Sequence, residues 1–96
     1  MPTYIVLMKL TDQGIRLAKD APERIEAGVK SLEALGGKIN DFYATLGEYD
    51  YIACVDAPNE AVVMHFLLGL GAAGDVRTTT MKALTREEFE EIARKL

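Results

Sequence analysis

Residues 38–56, KINDFYATLGEYDYIACVD, contain two runs rich in β-branched and aromatic residues, 38–46 and 49–56, joined by a Gly-Glu link. Two such runs parted by turn residues read as an antiparallel hairpin. Side chains of a strand point alternately to opposite faces, so Tyr49, Tyr51, Ala53 and Val55 share one side and Ile52 and Cys54 the other. Both sides are apolar, so both need cover.

Working upstream, Gly36-Gly37 stop a helix, because glycine takes the left-handed conformation of a helix end without a Cβ clash. That helix sets Ile25, Val29, Leu32 and Leu35 at helical spacing, with Glu23, Arg24, Glu26, Lys30 and Glu33 pointing outward. Asp20 and Glu23 predict a capping box at its start, and Pro22 falls in the first turn, where a missing N–H does no harm. The segment TDQGIRLAKDAP before it has turn chemistry and is expected to be a loop or frayed turn. Residues 3–10, TYIVLMKL, form a first strand with Tyr4, Val6, Met8 and Leu10 on one face and Ile5 and Leu7 on the other.

Downstream, Ala57-Pro58-Asn59-Glu60 leads into AVVMHFLLGLGAA, a helix apolar almost all round. At about 14 residues it is too short to span a bilayer, which needs ~20, so burial by protein is the expectation. Gly74-Asp75 ends it, and VRTTTMKAL supplies a fourth strand. Thr85 and Glu88 make a T-x-x-E capping box for a C-terminal helix whose acidic first turn and basic last turn suit the helix dipole.

The order β-α-β-β-α-β plus a terminal helix specifies an α+β, ferredoxin-like single domain over residues 1–96: a four-stranded antiparallel sheet with both long helices on one face. The other face is then left with large apolar groups, for which tyrosines and Val55 are the candidates. A bare apolar sheet exceeds what a soluble monomer usually exposes, and a second copy of the same sheet is the economical cover. A homodimer with sheets face to face, or a larger oligomer built from it, is the expected assembly.

Composition narrows the partners. A net charge of −4 with singly scattered Lys and Arg argues against nucleic acid. One cysteine and one histidine exclude a disulfide framework and the usual Cys/His zinc sites, so no metal site is expected, and a reducing cytoplasm fits best. MPTYIVLMKL lacks the features of an export signal and reads as a strand.

Gly47-Glu48-Tyr49-Asp50 at the start of the third strand matches a G-x-Y-D signature. Together with Tyr4 in the opening strand, the Ala21-Pro22-Glu23-Arg24 stretch, the late Thr78-Thr79-Thr80-Met81 strand and the element order, it makes the chain resemble the GYD family over essentially its whole length. The resemblance implies the dimeric α/β-barrel fold and a face-to-face dimer; it implies no particular reaction. Superfamily relatives include monooxygenases, haem-degrading enzymes and effector-binding regulator domains, so fold leaves function open.

Several residues are candidates for chemistry. His65 alone has a natural pKa near neutrality, which suits acid-base work or haem ligation, although a lone histidine in an apolar helix more often serves structure. Tyr49 and Asp50 either bind a ligand or build the turn, with Gly47 at positive φ, Asp50 bonding turn amides and Tyr49 packing on a neighbour such as Tyr43. Tyr4, Tyr43 and Tyr51 offer phenol groups to a small organic ligand, and Arg77 with the threonines after it offers hydrogen bonds to an anion. Cys54, mid-strand with no cation beside it in sequence, reads as inert. The expected function is a homo-oligomeric small-molecule or effector-binding module whose cofactor is unknown. The alternatives are a cofactor-independent or haem-linked monooxygenase-type enzyme and a purely assembling subunit.

Overall fold

A computed structural model describes residues 1–96. Four strands, β1 (Thr3–Leu10), β2 (Lys38–Ala44), β3 (Tyr51–Asp56) and β4 (Val76–Ala83), form one antiparallel sheet in the order β2-β3-β1-β4. The helices are α1 (Asp12–Arg16), α2 (Ala21–Ala34), α3 (Glu60–Ala73) and α4 (Arg86–Ala93). The α+β, ferredoxin-like arrangement stands as the sequence predicts. Eleven of the 96 residues are buried, and every named core residue is apolar, which leaves a thin core for a chain of this length.

The caps explain where the helices begin and end. Asn59 accepts from the Val62 N–H at the start of α3, and Gly74 at φ 89° closes it. Thr85 and Glu88 form the expected reciprocal capping box at α4. The box expected at Asp20 is absent, because Asp20 ends a 3-10 turn, Ala18–Asp20, and its side chain makes no capping bond. The expected loop after β1 is ordered: Thr11 caps α1 by accepting from the Gly14 N–H, and Gly14 is buried where a Cβ would lie 2.2 Å from the Asp75 carbonyl.

The register shows which parity faces the helices. Tyr4, Val6 and Met8 of β1 lie opposite Val55, Ala53 and Tyr51 of β3, and this set packs under α2 and α3 with Leu32, Val63 and Phe66. Ile5 and Leu7 lie opposite Cys54 and Ile52, on the face without helices. Of the apolar groups assigned to that open face, Tyr43 is there, 62% exposed and paired with Ile52, whereas Tyr4, Tyr51 and Val55 belong to the helix side. A bulge at Asn40 lets Ile39 and Phe42, three residues apart, both point to the core. The open face is nonetheless apolar at its centre, with Met81 of β4 beside Ile5.

Candidate functional site

The helices α2 and α3 do not close over the sheet, and the gap is a cavity of about 310 Å³ between them and the inner faces of β1, β2 and β3. Its floor includes Val6, Met8, Phe42, Tyr51 and Ala53, and its walls include Ile25, Gly28, Phe66 and Leu70. Phe42 and Tyr51 stack at 5.1 Å between ring centroids with a 44° tilt, which fixes an aromatic edge along the floor. Bulk is missing where the helices face each other, since Ala27, Gly28, Gly69 and Ala73 all line the space.

Polar groups gather at one end. The Arg24 guanidinium of α2 donates to the Asp75 carboxylate, which also accepts from the Gln13 amide at 2.9 Å. The Gln13 hydrogen bond, then the Arg24 charge and hydrogen bond, hold the Asp75 carboxyl below the usual carboxylate range. Arg24, Asp75 and Ser31 are the polar side chains that meet the lumen, so the site offers an apolar body with one paired cation and anion at its rim. No group of three or more His, Cys, Asp or Glu side chains gathers anywhere in the fold to hold a metal ion.

The residues nominated from the sequence scatter. Tyr51 lines the cavity. Tyr4 is 4% exposed on the same face, and its hydroxyl is buried without a hydrogen-bond partner, but it lies outside the lining. His65 is exposed on the outer side of α3, and Arg77 is exposed on β4, donating to the carbonyls of Gly71 and Val76. Tyr49 and Asp50 precede β3 in the turn. There Asp50 accepts from the Leu10 N–H at 2.8 Å while its own N–H donates to the Met8 carbonyl, and Lys9 stands 5.3 Å from the Tyr49 ring. Tyr49 therefore meets a lysine rather than Tyr43. Gly47 has φ 109°, the positive value its place in the turn predicts. Cys54 sits half-buried on the open face, where burial first and the charges of Asp41 and Asp56 next push its thiol pKa up.

The match to the GYD domain runs over residues 4–93, spanning the sheet, the cavity and the Gly-Glu-Tyr-Asp turn alike. The chain belongs to the GYD domain family. A relative 40% identical over 85 residues, 88% of this chain and 90% of its own length, is the glutamine synthetase and cystathionine beta-lyase binding protein of Thermus thermophilus. Among solved structures, FFRP-DM1 superposes with a TM-score of 0.61 at 23% identity, covering 88% of this chain and all of its own. The leucine response regulatory protein of Mycobacterium tuberculosis gives 0.57 at 18% identity, covering 88% of this chain and 51% of its own. At these identities the solved structures show the fold alone.

Arg24 and Asp75 were missed as site residues because 51 positions separate them and each reads locally as ordinary surface or helix-end chemistry. The small residues on the helix sides were the available signal.

Proposed function

We propose that the chain is a cytoplasmic, homodimeric binding module that docks on a metabolic enzyme and carries a small, largely apolar effector in the cavity between sheet and helices. The cavity supports this reading most directly. The space of about 310 Å³ is lined mainly by apolar side chains and opens at its rim, and those side chains forgo packing partners while it is empty, which costs stability. Water entering at the rim offsets part of that cost, and an apolar ligand would offset more. The family relative's description as an enzyme-binding protein supports a protein partner, with glutamine synthetase and cystathionine β-lyase as the first to try. The open sheet face supports pairing with a second copy.

Two measurements test the reading. Native mass spectrometry of the purified protein should reveal a co-purified small molecule, and calorimetric titration into purified glutamine synthetase or cystathionine β-lyase should give a saturable heat. A ligand-free spectrum together with no binding to either enzyme at tens of micromolar would reject it. The monooxygenase-type reading rests on Tyr51, whose ring lines the cavity. It requires that candidate organic substrates be turned over by the protein and that Tyr51→Phe abolish the turnover.

A further inference from the structure

Two apolar features are stranded at opposite ends of the sheet. At one end is the hairpin tip between β2 and β3, where Leu46 is fully exposed and Tyr43 nearby is 62% exposed. At the other, α4 leaves the end of β4 through only Leu84 and Thr85, and its Phe89 and Ile92 are 62% and 54% exposed. The positions i and i+3 put Phe89 and Ile92 on one side of the helix, with the charged residues around them. The chain extends 50 Å along its longest axis, whereas an eight-residue strand spans only ~27 Å.

We propose that α4 is a clasp: its Phe89–Ile92 stripe docks on the hairpin tip of a second copy, against Leu46 and Tyr43. The inference rests on the pairing of open sheet faces put forward above. Four strands of this length make a face of roughly 450 Å², well short of the ~800 Å² per partner of a standard stable interface. At ~150–250 Å² per large side chain, the exposed parts of Leu84, Phe89 and Ile92 add roughly 300 Å², which brings each copy close to that standard. Direction agrees with area. β4 runs from beside Leu10 to beside Thr3, so α4 emerges at the Thr3 end while the tip lies at the Met8 end. β4 and the β2–β3 tip also lie at opposite edges of the sheet, so a two-fold axis in the interface plane, perpendicular to the line joining them, sets each α4 over the partner copy's tip.

A disulfide trap tests the clasp. Leu46→Cys and Phe89→Cys together, in a Cys54→Ala background, should give a covalent dimer on non-reducing gels under a glutathione redox buffer, and neither single variant should. Within one chain the two positions lie about a strand length apart, ~25 Å, so no intrachain bond can form. If the Cys54→Ala background sediments as a dimer but no cross-link forms, the clasp is wrong and the sheet pairing stands. If wild type is monomeric at every concentration, both fall. Independently, Phe89→Ser with Ile92→Ser should weaken the dimer about a hundredfold by analytical ultracentrifugation while the circular dichroism stays folded. An unchanged dimer constant, with binding to a purified enzyme partner lost instead, would assign the stripe to the enzyme and overturn the clasp.

Discussion

Replacing Asp50 by alanine separates a turn that builds the sheet from a turn that binds a ligand. The Asp50 carboxylate accepts from the Leu10 N–H at 2.8 Å, and the Asp50 N–H donates to the Met8 carbonyl at 2.9 Å. The last β1–β3 register pair is Met8 with Tyr51, so the carboxylate supplies one more rung to β1 where β3 has not yet begun. A hydrogen bond to a charged group contributes ~1.5–3 kcal/mol, and the half-buried setting of Asp50 places it toward the lower half of that range. Asp50→Ala should therefore destabilise by about 2 kcal/mol, lowering Tm by roughly 10 °C for a domain of this size. Asp50→Asn keeps a neutral acceptor and should lose about half as much. Urea denaturation at one fixed protein concentration measures both, because association with a second copy would make the midpoint concentration-dependent. An Asp50→Ala protein within 0.5 kcal/mol of wild type would refute the structural role and return Asp50 to the ligand-binding candidates.

Gly28 lies within α2 and lines the cavity, and a Cβ there would meet only Leu70 Cδ2 at 3.7 Å. Gly28→Ala should stabilise by up to ~1 kcal/mol through helix propensity, read as a higher Tm. Gly37→Ala should do the reverse, since its Cβ would fall 2.6 Å from Leu32 Cδ1 and 2.9 Å from the Asp56 carbonyl. Leu32 is fully buried and cannot yield, so a loss of ~1–3 kcal/mol is expected in urea melts. Asp75 sets an acid limit. Its folded pKa is depressed, so its stabilising contribution is fully present above the unfolded aspartate value of ~3.9 and is lost as pH falls through the lower folded value. Asp75→Asn should flatten that part of the stability profile between pH 5 and pH 2; an unchanged slope would show that Asp75 does not contribute to it.

Element order was legible because its signals are local. Gly36, Gly74 and the Thr85–Glu88 box mark helix ends within four residues, and the strands announce themselves by alternation. Parity was not legible. β1 and β3 carry apolar groups on both faces, so nothing in either strand says whether Tyr4 or Ile5 meets the helices. That choice is made by α2 and α3 jointly, and the bulge at Asn40 hides it further by bringing Ile39 and Phe42 to one face at a spacing no regular strand allows. The turn misled in a related way. Tyr49 and Asp50 continue the strand-like composition, yet Asp50 bonds across to β1, and that tertiary bond holds the pair outside β3.

The candidate site was hard to read for a different reason: it is written as absent volume. A search for chemistry looks for histidines, cysteines and tyrosines, and of those nominated only Tyr51 lines the cavity. What makes the cavity is that α2 presents Ala27 and Gly28, and α3 presents Gly69 and Ala73, where larger residues would have closed the gap. Glycine inside a helix costs ~1 kcal/mol relative to alanine, and a Cβ at Gly69 would meet nothing within 4 Å. Packing within the chain therefore does not require glycine there. Two interior helix glycines beside a space that local packing leaves unfilled are what a fold that keeps room for a ligand would carry, and Gly28→Leu, which would fill that room, should raise stability and abolish effector binding together.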